Sequence, residues 1–188
     1  MDRDVRTRIL DGTYACVARK GISHTSLEDA ARQAGVSRAT LYRYFPGGRD
    51  ELIGAVIVFE TLRFFMRLAE AVQDAPDLEQ LLVDGIVFAH RAIEEHEVLH
   101  KVLETEPELV VPRLTLESRN LIELIRGFLE PRIAATRLPD GLRIEEAADY
   151  VARMVLSFIV SPGSWDLSDS TQVRALVDSE LLAGLRPA

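Results

Sequence analysis

Apolar residues recur every third or fourth position over most of the chain, and no stretch alternates apolar with polar long enough to suggest a strand, so the pattern predicts an all-α protein. A first helix is predicted over residues 5–19, burying Ile9, Thr13, Cys16 and Val17 and stopping at Gly21. Thr25 and Glu28 are spaced as a capping box that opens a second helix ending at Gly35. Ser37 is placed to cap a short third helix reaching Tyr44. Beyond the Pro46-Gly47-Gly48 break, a long helix fits residues 49–73, and further helices fit 77–95, 97–104, 112–136, 143–160 and 170–185, separated by Pro- and Gly-containing turns.

The informative segment is residues 25–45, TSLEDAARQAGVSRATLYRYF. Two helices that cross closely need a small residue at the crossing, which Ala31 supplies, and a residue tolerant of positive φ at the turn four positions later, which Gly35 supplies. Val36 and Leu41 fall where apolar side chains lock the later helix onto Leu27, Ala30 and Ala34. Arg38, Ala39, Thr40, Arg43 and Tyr44 are then left on its outer face. That arrangement is a helix-turn-helix, whose second helix enters the major groove of DNA. Arg38 suits a bidentate contact with a guanine edge, Ala39 and Thr40 suit a thymine methyl, and Tyr42, Arg43 and Arg49 suit the phosphate backbone.

From about Arg8 to Leu52, and most specifically in AGVSRATLYRYF, the chain resembles the DNA-binding domain of the TetR family of bacterial one-component regulators. The resemblance implies a nine-helix fold: a three-helix DNA-binding domain over residues 1–48, and a helical ligand-binding and dimerisation domain over 49–188. Carried over by position, it implies phosphate contacts for Thr25, Ser26, Tyr42 and Arg49, and major-groove contacts for Ser37, Arg38, Ala39, Thr40 and Tyr44. The chain departs from the family pattern at Ala30, where isoleucine is usual, and at Phe45-Pro46-Gly47-Gly48-Arg49, which holds one extra residue.

Charge changes the picture less than its total suggests. The formal net charge of −8 looks wrong for a partner of DNA, but residues 1–50 hold nine Lys/Arg against six acids, so the acidity resides in the remainder. Phosphate binding needs only local positive potential. The single cysteine, Cys16, cannot form an internal disulfide, and the N-terminus shows no secretory pattern, so a cytoplasmic location is expected. The longest uncharged apolar run, residues 52–59, is far short of the roughly 20 residues that span a bilayer, so no membrane partner is expected.

A competing motif is His96-Glu97-Val98-Leu99-His100, which on one continuous helix sets two imidazoles on one face for zinc, with Glu104 a turn further on as a third ligand. A zinc-dependent hydrolase is therefore the alternative. Against it, the resemblance puts a helix break near His96, and no sheet is evident to align a substrate. The reading adopted is a non-enzymatic regulator with no catalytic residues, metal or cofactor.

In the later helices, Leu62, Phe65, Met66, Phe88, Leu103, Met154, Phe158 and Trp165 are apolar candidates for an effector site, with His100, Asn120 and Tyr150 able to orient a polar end. A mostly apolar small molecule is the expected effector. By resemblance, helices near 144–160 and 173–185 form a four-helix homodimer interface, and their stripes of Leu142, Ile144, Val151, Val155, Phe158, Leu176, Val177, Leu181 and Leu182 allow it. A two-fold dimer sets its recognition helices about 34 Å apart and so demands a near-palindromic operator. The function expected is repression, relieved when the effector favours a state that cannot hold DNA.

Overall fold

The structure is a computed structural model that describes residues 2–186, and among the described residues every regular element is a helix. In chain order these are α1 (Asp2–Lys20), α2 (Leu27–Ala34), α3 (Arg38–Tyr44), α4 (Gly48–Ala71), α5 (Leu78–Glu94), α6 (Glu97–Thr105), α7 (Pro107–Ala134), α8 (Ile144–Val160) and α9 (Ser170–Leu176). By packing, the chain divides into two compact units, one of residues 1–66 with 96–114, the other of residues 67–95 with 115–188.

The first unit is built around α1, α2, α3 and the start of α4. Its core comprises Ile9, Leu10, Ala30, Ala31, Ala34, Leu41, Phe45, Leu52 and Val56, edged by Leu27, Val36 and Tyr44. Small residues let the helices approach. A Cβ added at Gly12 would stand 3.0 Å from the Ala34 backbone nitrogen, so the α1–α2 crossing depends on an absent side chain as much as on Ala30 and Ala31. The buried Thr13 hydroxyl donates to Ile9 O at 2.7 Å, so it enters the core without an unmet bond. A smaller cluster of Val17, Ile22, Ile53 and Val102 seats α6 against the end of α1.

The capping box lies one residue later than the spacing predicts. Ser26, at φ −95° and ψ 161°, is the N-cap of α2, and Asp29 reaches back. Thr25 is instead buried, its hydroxyl donating to Gly21 O at 2.7 Å and closing the α1–α2 loop. Helix α7 begins at Pro107, where a missing N–H costs nothing, rather than at 112, and it carries Pro112 within its second turn. The last helix also differs. Beyond Leu176 the chain forms one π-helical turn, Val177–Leu181, closed by Leu182 N–H on Val177 O at 2.9 Å, and then a short 3-10 turn, Ala183–Leu185.

The second unit buries Leu81, Leu82, Val83, Ile86, Ile125, Leu129, Ile133, Val151, Leu176, Val177 and Leu181. Asp77 caps α5 by accepting Gln80 N–H at 2.8 Å, and Arg174 of α9 bridges to Glu79 and Gln80 at 2.6 and 2.5 Å. Among the described residues, no helix is long and apolar enough to cross a membrane.

Two substitutions test this packing. Leu41→Ala, at a fully buried site, is expected to cost about 3 kcal/mol. Gly12→Val forces α1 away from α2 and is expected to cost about 2 kcal/mol. Urea unfolding midpoints read both, and a wild-type midpoint for Gly12→Val would contradict the close crossing.

Candidate nucleic-acid interface

The turn between α2 and α3 is made by Gly35 at φ 65°, ψ 37°, a left-handed conformation that glycine adopts without strain. Val36 N–H returns to Ala31 O at 3.0 Å and Gly35 N–H to Arg32 O at 3.2 Å, closing α2. Arg8 of α1 completes the closure, its guanidinium donating to Ala34 O at 2.8 and 3.3 Å and to Gly35 O at 3.2 Å. Ser37 then caps α3, its hydroxyl oxygen accepting Thr40 N–H at 3.0 Å and lying 2.9 Å from the Thr40 hydroxyl. Leu41 turns inward and is fully buried, which fixes the rotation of this seven-residue helix.

Rotation decides what α3 shows to solvent. Ser37, Arg38, Ala39, Tyr42 and Arg43 are exposed together, while Thr40 is half-buried and Tyr44 packs half-buried against the core. The Arg38 guanidinium lies 5.8 Å from the Tyr42 ring centre, and that of Arg43 lies 5.4 Å from Tyr44. Each aromatic face steadies a cation without consuming its N–H donors.

The other candidates in this region are engaged elsewhere. Thr25 is buried in its loop, and the Ser26 hydroxyl donates to Asp29 Oδ2 at 2.6 Å. Arg49 turns back: its Nε donates to Thr25 O at 2.9 Å and its Nη2 to Ile22 O at 2.5 Å. Gly48 adopts φ 75°, and Gly47 N–H is taken by Glu51 at 2.6 Å, a compact start to α4 that swings Arg49 onto the α1–α2 loop.

Three residues escaped the sequence reading. Arg8 was only one of nine basic residues, and nothing in the pattern marks its reach across 26 positions. Arg6 lies 5.5 Å from the Phe45 ring centre. Glu106 is buried before Pro107 and accepts Ile22 N–H at 2.6 Å and Ser23 N–H at 2.8 Å, a contact spanning more than 80 residues of chain. Burial opposes its charge, but the bonds from Ser23 and Ile22 prevail and hold the carboxyl below the ordinary glutamate range.

The His96-Glu97-Val98-Leu99-His100 pattern does not form the arrangement zinc needs. Helix α5 ends at Glu94, and His96 is the N-cap of α6, its Nδ1 accepting Leu99 N–H at 3.0 Å. That lone pair is engaged by the backbone, and the ring meets Tyr14 edge-on. Among the described residues no cluster of three His, Cys, Asp or Glu side chains could hold a metal ion.

The effector candidates fall in both units. Leu62, Phe65, Met66, His100 and Leu103 belong to the first, where Met66 is 72% exposed and Leu62 48%. Phe88, Asn120, Tyr150, Met154, Phe158 and Trp165 belong to the second. There the Tyr150 hydroxyl donates to Glu180 O at 2.7 Å and so satisfies a carbonyl of the π-helical turn. A depression of about 250 Å³ in the second unit is walled by Leu78, Leu182 and Leu185 with Glu79, Arg137 and Arg186, and none of the effector candidates lines it.

The sequence profile described as "Bacterial regulatory proteins, tetR family" matches residues 9–56, the span from α1 into α4. An HTH-type transcriptional regulator of Mycobacterium tuberculosis is 25% identical over 181 residues, covering 96% of this chain and 85% of its own. Among solved structures, the TetR family repressor AlkX from Dietzia sp. superposes with a TM-score of 0.67 at 24% identity, covering 95% of each chain. The transcriptional regulator FadR from Bacillus subtilis, in complex with stearoyl-CoA, superposes with a TM-score of 0.56 at 19% identity over 96% of this chain and 99% of its own. The likeness to these two structures establishes the fold.

Lys20, then the Ser26 hydroxyl and amide, hold the Asp29 carboxyl well below the usual carboxylate range. A carboxyl lowered by folding stabilises the native state above its unfolded pKa, and that stabilisation is lost as pH falls through the folded value. The stability gap between wild type and Asp29→Asn should therefore be full at pH 7 and narrow steadily below about pH 4. Thermal unfolding across this range checks it, and a gap that widens on acidification would contradict the assignment.

Proposed function

We infer that this chain, a DNA-binding transcriptional regulator of the TetR family, acts as a homodimeric repressor of a near-palindromic operator and is released by a small, mostly apolar effector. The observation that carries the reading is α3 itself. Its buried face is pinned by Leu41, its start by Ser37 and Gly35, and its outer face offers Arg38, Ala39, Tyr42 and Arg43 together. A short helix held this firmly from behind, with free cations in front, is suited to a groove lined by phosphates and base edges.

Residues 1–48 are assigned to DNA and residues 49–188 to effector binding and dimerisation. Arg38 and Ala39 read bases, with Ser37, Thr40 and Tyr44 at the margins of the groove, and Tyr42 and Arg43 bind phosphates. Thr25, Ser26 and Arg49 serve DNA indirectly, by shaping the loop and the start of α2 that carry the recognition element. Repression follows the similar repressor AlkX, and an apolar effector follows the stearoyl-CoA complex of FadR. Leu62 and Met66, large apolar side chains open to solvent on α4, suit such a ligand. The second subunit is assigned to α8 and its neighbours, where Val160 is 83% exposed and Ile144 and Tyr150 are also open. Val151, Leu176, Val177 and Leu181 serve the chain's own core instead. A cytoplasmic location accords with a duplex DNA partner.

Duplexes selected from a random pool by the full-length chain test this reading through fluorescence anisotropy. Affinity should fall steeply between 50 and 200 mM salt, as it does when phosphate charges are neutralised. Arg38→Ala should lose about 1–3 kcal/mol on its preferred base and discriminate less there, whereas Tyr42→Ala should weaken all duplexes alike. Unchanged affinity in both variants would reject the recognition role of α3.

A further inference from the structure

Among the described residues, Glu106 is the one buried acidic or basic residue, at 7% exposure. A carboxylate removed from water is strongly disfavoured unless fixed donors replace its hydration, and here the donors are two consecutive amides of the α1–α2 loop, Ile22 and Ser23, together with the Ser23 side chain, with His24 close by. The fit leaves no slack. Gly21 stands at φ 81°, and a Cβ on it would come within 2.9 Å of the Glu106 carboxylate.

Five residues earlier, Lys101 donates to Ala18 O at 3.0 Å and Arg19 O at 3.2 Å, the open carbonyl end of α1. Val102 lies between them, 4% exposed, in the cluster with Val17, Ile22 and Ile53. Helix α6 thus meets the end of α1 with a cation on carbonyls, an apolar contact in the middle and an anion on amides. A displacement that drew Glu106 off the amides of Ile22 and Ser23 would leave a buried carboxylate without partners. Arg49, from the start of α4, holds two carbonyls of the loop, Ile22 O and Thr25 O. The next residue, Ser26, is the N-cap of α2, so the pose of this loop is the pose of the helix-turn-helix.

We propose that Glu106 is a positioning residue for operator binding: it clamps the α1–α2 loop while Lys101 holds the adjoining end of α1, and together they fix the direction in which α3 is presented. The proposal rests on the reading of the chain as an operator-binding regulator. It assigns to the α6–α7 junction a role that contacts no DNA.

The test uses the full-length chain and a duplex selected by the wild type, together with versions whose half-site spacing is one base pair longer or shorter. One added base pair shifts a half-site by about 3.4 Å and rotates it by roughly a tenth of a turn, so spacing preference reports how firmly α3 is aimed. Glu106→Gln retains one acceptor but turns an NH2 toward the second amide. It is expected to bind the selected duplex about tenfold more weakly and to lose most of its preference over the altered spacings. Lys101→Met, at an exposed position, is expected to relax the preference in the same direction by a smaller factor. A merely structural role would lower the active fraction by one factor on every duplex and leave the preference intact, and that result overturns the proposal. If Glu106→Gln fails to fold, Lys101→Met decides: wild-type spacing preference in that variant overturns the proposal. Wild-type protein that selects no duplex would instead overturn the functional reading, and the proposal with it.

Discussion

The left-handed backbone at Gly35 is where the helix-turn-helix becomes one object rather than two short helices. A helix of eight residues followed by one of seven is too short to persist alone, so their stability comes from packing one against the other. The turn at Gly35 aims α3 so that Leu41 enters the space left by Ala30, Ala31 and Ala34. Once Leu41 is buried, Ala39, Tyr42 and Arg43, each about 100° or more around the helix from it, face outward by helical geometry, while Arg38 is open at the first position of the helix. Arg8 adds a condition from α1: by occupying the carbonyls of Ala34 and Gly35, it binds the turn to the helix behind it.

A second constraint acts at the opposite end of the same unit. The α1–α2 loop has polar backbone groups that no helix satisfies, and side chains from α4 and the α6–α7 junction take them: Arg49 two carbonyls, Glu106 two amides. The first compact unit accordingly does not end at the break before α4 but includes residues 96–114, which also bring Val102 into the cluster with Val17, Ile22 and Ile53. The polarity of each contact matches the backbone group it meets, an anion on amides and a cation on carbonyls.

Exposure on the remaining helices separates two kinds of apolar residue. In the second unit Val151, Leu176, Val177 and Leu181 are wholly buried within a single chain, whereas Val160, Ile144 and Tyr150 are open. Stripes at helical spacing therefore divide between a core private to the chain and side chains left open to solvent. His96 shows the same economy: in a pattern that could suggest a metal site it serves to begin a helix, its Nδ1 accepting the Leu99 amide at the N-cap.

The sequence by itself determined the all-helical architecture, the turn at Gly35, the inward direction of Leu41 and the outward direction of Arg38, because each depends on residues within about four positions of one another. Even there, the choice of Ser26 over Thr25 as the cap escaped it, since both offer a hydroxyl and only the loop's closure on Gly21 buries the threonine. Tertiary structure alone decided that Arg49 grips the α1–α2 loop, that Arg8 closes the turn, and that Glu106 is buried. Those contacts join residues 24 to 84 positions apart, and no local pattern records which distant amide or carbonyl will be left without a partner.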